Sequence, residues 1–230
     1  VSLNSNQKLD YLGGTDFLVD QGDEFYRMNS DTELLGRFIR MKHNHRFLEI
    51  GCNTGAILLY ASLRKPKELV GVDLFPEVFA LTKQNLERYK VQASLHACKI
   101  QDFHDELFDV IACNPPYFST TNQDLMNVNQ YKRAGRHEEN LPLSELFSSV
   151  KRLLKSNGSF FLVHRASRLN ELYQCASSVG LLPVRMIFAY DHPNGVAKTV
   201  LIEFQFASLH ECLIDSPVYL DDRSTFPTIE

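Results

Sequence analysis

Residues 114–118 read Asn-Pro-Pro-Tyr-Phe and follow directly on the short apolar run FDVIAC, which ends at Cys113. Two consecutive prolines fix φ and remove two backbone donors, so neither a helix nor a sheet ladder continues through them. The residue before a proline is driven out of the α region, which holds Asn114 and Pro115 extended. A strand therefore ends on a stiff segment that carries an amide, with the phenol of Tyr117 close by. The Asn114 side-chain carbonyl and the proline-locked backbone carbonyl beside it can together accept both hydrogens of a planar NH2 group. Tyr117 can stack on the ring or plane that bears that group. The lone pair of an aromatic amine is delocalised into its ring, which makes it a poor nucleophile. Acceptors whose hold tightens as the nitrogen pyramidalises stabilise the transition state selectively. Such chemistry needs no strong general base, and the chain shows no evident Ser/His/Asp or Cys/His set.

Three further groups stand upstream, in order. In LEIGCNTG, Gly51 follows a buried run and lets backbone approach a ligand, while the next helix offers free N–H groups. A plain strand-to-helix turn accounts for this pattern equally well. Asp73 closes the run ELVGVD, 22 positions after Gly51, the interval at which doubly wound folds place a ribose-binding carboxylate. It is also placed to cap the helix beginning near Pro76. Asp102 in CKIQDF can accept the amino group of a cofactor adenine, with Phe103 packing nearby; an N-cap or a solvated loop carboxylate is the competing reading. Gly51 and Asp73 together favour an adenosine-containing cofactor.

These groups need strands to present them, and the hydrophobic pattern supplies an alternation. RFLEI (46–50), ELVGVD (68–73), ASLHAC (93–98), FDVIAC (108–113) and SFFLVH (159–164) read as strands. Helices are expected over AILLYASLRK, over PEVFALTKQNLERYK (76–90) with Pro76 in its first turn, and over LSELFSSVKRLLK (143–155), ended by the glycine of SNG. RLNELYQCASSVG (168–180) is a further helix. LLPVRMIFAY and AKTVLIEFQF read as two last strands joined by the turn DHPNG. Alternation of this kind implies an α/β fold with a seven-stranded, mostly parallel sheet, helices on both faces, and the last strand antiparallel at the edge. One domain is expected, with an N-terminal extension (1–45), a core (46–206) and a loosely packed tail (207–230). The extension carries one helix, DTELLGRFIRM (31–41), started by Ser30 or Asp31.

The bulk numbers narrow the class. With 230 residues, 44% hydrophobic and 23% charged, the chain can bury a substantial core and is not disordered. A net charge of −4 excludes a broadly basic coat but not a local basic site. Five cysteines without a CxxC indicate neither a disulfide framework nor a zinc ribbon, so no metal is expected, and a reducing cytoplasm fits best. No apolar stretch is long enough to cross a bilayer, and the polar start VSLNSNQKLD is no signal peptide.

LEIGCNTG, GVD, QDF and NPPYF, in this order and spacing, resemble a class I (Rossmann-like) S-adenosyl-L-methionine (AdoMet)-dependent methyltransferase of the amino-methylating type. GRHEE (135–139), HRASRLNEL and FYRMNSDTELLGRF make nearly the whole chain similar to the bacterial tRNA1(Val) (adenine(37)-N6)-methyltransferases. The resemblance implies AdoMet as cofactor, held by Glu49, Gly51, Asn53 and Gly55 around its methionine moiety. It implies Asp73 with Leu74 at the ribose, Asp102 and Phe103 at the adenine, and Asn114 at the boundary with the target. Asn114, Pro115, Pro116 and Tyr117 would be catalytic. Asn53 stands where such enzymes often have glycine, and asparagine tolerates left-handed backbone angles better than other non-glycine residues.

The implied substrate is the anticodon loop of a tRNA, where an unpaired adenine is cheap to extract. Lys132, Arg133, Arg136 and His137 would meet its phosphates, with Phe118 beside the base and Arg168, together with His164 and Arg165 at the end of the fifth strand, extending the surface. A solvated loop with Arg136 paired to Glu138 or Glu139 is the alternative. Phe25 and Tyr26, with RMNSD, either fold over the pocket or anchor the extension. A guanine-amine or protein glutamine-amide methyltransferase, or a non-catalytic binding module of the same fold, compete as readings of the whole. A monomer is favoured over an oligomer.

Overall fold

The computed structural model describes residues 9–22, 27–115, 141–206 and 211–229. A small antiparallel pair, β1 (Leu9–Tyr11) and β2 (Leu18–Asp20), precedes helix α1 (Ser30–Phe38). The chain then alternates: β3 (Arg46–Ile50), α2 (Ala56–Ser62), β4 (Glu68–Asp73), a 3-10 turn at Pro76–Val78 running into α3 (Phe79–Arg88), β5 (Ser94–Ala97) and β6 (Phe108–Cys113). Helix α4 (Leu143–Leu153), β7 (Leu154–Arg165), α5 (Leu169–Ser178), β8 (Leu181–Tyr190) and β9 (Thr199–Phe206) complete the core.

The seven core strands lie in the order β5-β4-β3-β6-β7-β9-β8, all parallel except β9. The antiparallel strand is therefore interior, between β7 and β8, and not at the edge. Its burial explains why. Residues 199–204 of β9 are buried throughout, whereas β8 alternates buried and half-buried positions. A strand covered on both faces belongs inside the sheet, and an alternating one suits the rim.

Two apolar layers enclose the sheet. Phe47, Val110, Phe161 and Leu201 face α1 and α2, with Phe38 edge-on to Phe161 at 5.6 Å. Leu48, Ile111, Phe160 and Ile202 face α4 and α5, where Phe147 stands edge-on to both Phe160 and Phe204. Rings at these distances and angles gain from complementary edge-to-face charge.

The expected glycine stop after α4 is instead part of β7, which begins at Leu154 and runs through Ser156-Asn157-Gly158. The register against β6 shifts between Phe108 and Val110. A Cβ on Gly158 would stand 2.9 Å from the Asp109 carbonyl oxygen, so the glycine permits a close backbone approach at a bulge.

The tail is not loosely packed. β10 (Leu213–Ile214) and β11 (Val218–Tyr219) add in parallel to the outer edge of β8. Arg185 grips Asp215 at 2.6 Å, Arg223 reaches Glu33 at 2.8 Å, and Phe226 is buried beneath Arg37 and Arg223.

The extension is locked to the core through Arg64. This buried guanidinium donates to the carbonyls of Gly36 (3.0 Å), Tyr60 (2.9 Å) and Ile39 (2.7 Å). It satisfies acceptors that the end of α1 cannot pair internally, and its charge suits a helix C-terminus. Arg64→Ala strands those carbonyls and is expected to lower unfolding free energy by about 2–3 kcal/mol, measured by urea denaturation.

Candidate active site

Parallel register sets the rim of the sheet. Ile50 of β3 stands level with Val72 of β4 on one side and Cys113 of β6 on the other. The segments leaving these strands, Gly51 to Gly55, Asp73 to Phe75 and Asn114 to Pro115, thus emerge together at the carboxyl ends. The chain moves outward from β3 to β5 and then crosses back to β6, which makes this a topological switch point, where open α/β sheets bind ligands.

Glu49, one residue before the end of β3, is 3% exposed. Burial, reinforced by the nearby charge of Asp73, pushes its carboxyl well above the usual range, while the backbone N–H of Leu58 in the first turn of α2 opposes the shift. Its Oε2 has no hydrogen-bond partner among the described residues. A buried acceptor left unmatched suits a cationic donor.

Gly51 has φ +75, a left-handed angle open to glycine, and nothing lies within 4 Å of where its Cβ would be. The backbone here borders open space. Asn53 adopts φ 41, as the tolerance of asparagine for this region allows, and Gly55 is the N-cap of α2 with no side-chain cap. Asp73 joins the two turns: Oδ2 accepts the Asn53 N–H at 2.9 Å and Oδ1 the Phe75 N–H at 3.1 Å. Burial raises its pKa, and the N–H groups of Phe75, Asn53 and Leu74 pull the other way. Asp73 therefore ties two turns together and does not cap the helix near Pro76, whose start carries no side-chain cap. With three N–H donors against four lone pairs, its carboxylate keeps one for a hydroxyl donor.

Asp102 is exposed in the turn after β5. Phe103 is 5% exposed and packs against His96 (5.1 Å) and Phe108 (6.4 Å), with its carbonyl accepting Arg152 Nη1 at 2.6 Å. Its ring is part of the core. At the end of β6, Pro115 is buried and Asn114 half-buried. Asn114 Nδ2 donates to Thr32 Oγ1 of α1 at 3.2 Å. Pro116, Tyr117, Phe118, Lys132, Arg133, Arg136 and His137 lie outside the described residues.

One expectation for the nucleic-acid surface changes. His164 is 1% exposed, and burial with the Arg168 charge pushes its pKa down to about 4, so it is a neutral interior group and not a phosphate contact. Arg168 makes a two-point pair with Glu171, at 2.9 and 2.6 Å. Its charge is already compensated within the first turn of α5.

The residues that sequence reasoning missed come from the extension. Asn29, not Ser30 or Asp31, caps α1, its Oδ1 accepting the Thr32 N–H at 3.2 Å. Asp31 accepts the Thr199 hydroxyl of β9 at 3.1 Å, which fastens the helix start beside the rim. The signal was present as Asn-x-x-Thr ahead of an apolar run, but nothing local links it to residue 114.

The sheet order, the glycine turn and the orphaned Glu49 define a class I methyltransferase site. Comparison with known proteins agrees. A methyltransferase from Pyrococcus furiosus superposes with a TM-score of 0.64 at 18% identity, over 85% of this chain and 92% of that one. An Agrobacterium tumefaciens protein described as a predicted O-methyltransferase gives 0.62 at 16%, over 86% and 91%. The chain belongs to the methyltransferase small domain family, whose profile matches residues 25–172. Its relatives include proteins named tRNA1(Val) (adenine(37)-N6)-methyltransferase. The one from Bacteroides thetaiotaomicron is 29% identical over 186 residues, covering 78% of this chain and 77% of the relative. The one from Dyadobacter fermentans is 24% identical over 212 residues, covering 90% and 87%. AdoMet is the cofactor of this family, and the unmatched Glu49 oxygen, the open ground above Gly51 and the spare lone pair of Asp73 fit its ammonium and hydroxyl donors.

Asp73→Ala removes the clasp between two turns and an acceptor from the cleft; calorimetry should show AdoMet affinity reduced by about 10- to 100-fold. The neutral, buried His164 sets an acid limb on stability. Its folded pKa lies below the unfolded value, so between pH 6.5 and about 4 the unfolded chain binds the extra proton and stability falls with acidification. The loss saturates below pH 4 at about 3 kcal/mol. His164→Gln should flatten that limb in denaturation series run across the window.

Proposed function

We propose that the chain transfers the methyl group of AdoMet to the exocyclic N6 amine of adenine 37 in a valine tRNA. The observation that carries this reading is the placement of Asn114 and Pro115 at the end of β6, next to the Gly51 turn and ahead of a second proline and a tyrosine. Bound AdoMet supplies an electrophilic methyl group on a sulfonium centre. Glu49 holds the ammonium end, Asp73 accepts from a ribose hydroxyl, and Asp102 stands at the adenine end with the backbone beside Phe103. The Asn114 Oδ1 and the Pro115 carbonyl accept the two N–H bonds of the target amine. Their pull turns its lone pair out of conjugation and toward the methyl donor, which assists most where the nitrogen is most pyramidal. Tyr117 stacks on the adenine, and the extension from residue 1 to 45 covers the site.

The relatives' names support adenine N6 over the other amines considered, whereas the amine-gripping segment suits each of them. Lys132, Arg133, Arg136 and His137, with Arg168 once released from Glu171, are assigned to RNA phosphates. Among the described residues no helix is long and apolar enough to cross a membrane, and a tRNA substrate places the work in the cytoplasm.

Mass spectrometry of tRNA nucleosides from cells with and without the gene tests the assignment. N6-methyladenosine should disappear from the valine tRNA of the deletion strain; its persistence, or loss of a methylated guanine instead, overturns the reading. Asn114→Ala is expected to lower kcat by about 10²–10³ while AdoMet affinity holds nearly constant by calorimetry. Replacing Lys132 and Arg133 together by Ala should reduce the slope of log Kd for tRNA against log salt by about 1–2, read from filter binding.

A further inference from the structure

An asparagine that accepts hydrogen bonds from an amine must present oxygen, not nitrogen, to the substrate. The two ends of the amide are nearly the same shape, and a half-turn about the last side-chain bond exchanges them. In the flipped form an NH2 would face the target NH2, donor against donor. Something must hold the orientation, and the start of α1 has the required polarity.

The chain of donors can be followed atom by atom. Asn29 Oδ1 accepts the backbone N–H of Thr32 at 3.2 Å. A backbone N–H can only donate, so that atom is the oxygen of the Asn29 amide. The Thr32 hydroxyl lies 3.4 Å from the same Oδ1 and donates to it, which commits its one proton. Thr32 Oγ1 is then an acceptor toward Asn114, and the 3.2 Å contact is made by Asn114 Nδ2. The Asn114 carbonyl is thereby turned to the opposite branch of the amide. Thr32 is buried and sits in a helix start fastened by Asp31 to Thr199, so the acceptor is held in place and cannot follow a flip.

We infer that Thr32 is a positioning residue for methyl transfer: through the Asn29–Thr32–Asn114 relay the N-terminal extension sets which end of the Asn114 amide meets the target amine. This inference rests on the assignment of Asn114 as the amine acceptor. It gives the extension a part in the chemical step in addition to covering the site, and it couples the two segments that lie 82 positions apart in sequence.

The test compares Thr32→Val, which keeps shape and the capped N–H but removes the acceptor, with Thr32→Ser, which keeps the hydroxyl. The substrate is unmodified tRNA transcript bearing adenine 37, and the readouts are kcat, the KM values, and exchange of the Asn114 side-chain amide protons by NMR. Thr32→Val should lower kcat by about 10- to 100-fold with the KM for AdoMet little changed, the order expected of a misplaced reacting group. Thr32→Ser should recover most of that loss. The Asn114 amide protons should exchange faster in Thr32→Val than in the parent or Thr32→Ser. A valine variant as active as the parent, a serine variant as impaired as valine, or unchanged exchange overturns the relay. If Thr32→Val does not fold, Thr32→Ala is read in the same way. A parent protein inactive on the transcript would defeat the assigned reaction, and the exchange measurement would still decide the relay on its own.

Discussion

The return of the chain across the sheet, from β5 at one edge back to β6 beside β3, is the constraint on which the site depends. Because β3, β4 and β6 run parallel with Ile50, Val72 and Cys113 level, their carboxyl ends open at one height. The glycine turn, Asp73 and Asn114 then leave the sheet at the same end. An antiparallel neighbour on either side of β3 would send one of them to the opposite end of the sheet. Asp73 adds a second tie. By accepting N–H groups from both Asn53 and Phe75 it fixes the spacing of the two turns that bound the cofactor side.

The terminal segments complete what the sheet begins. α1 covers one face, its carboxyl end pinned by Arg64 and its amino end by Asp31 and Thr199. The tail binds α1 from outside through Arg223 and Glu33 and extends the sheet at β8. The position of Thr32 beside Asn114 thus depends on contacts spread from β9 to residue 226. The site is assembled from the middle of the chain and braced from both ends.

Much of this could be read in the residues because the relevant signals are local. Strands β3, β4 and β6 are short apolar runs closed by Gly51, Asp73 and Asn114, and the alternation with helices implies their parallel order. The missed features are non-local. Gly158 looks like a helix stop until its strand partner shows a bulge at Asp109. The interior place of β9 depends on cover over both of its faces, and the two-residue strands β10 and β11 carry no periodicity to detect. His164 resembles a basic surface residue next to Arg165 and Arg168 until its burial is known. Thr32 belongs to the site through one hydrogen bond across the fold, which no spacing rule anticipates.

A crystal structure with AdoMet and adenosine in the cleft is the most direct measurement of the central claim. The account requires the adenosine N6 within about 2.7–3.2 Å of Asn114 Oδ1. It also requires the sulfonium methyl in line with N6 at about 3–3.5 Å. An AdoMet sulfur lying beyond the β4 side of the glycine turn, or an adenine amine that meets neither Asn114 nor the Pro115 carbonyl, would contradict it.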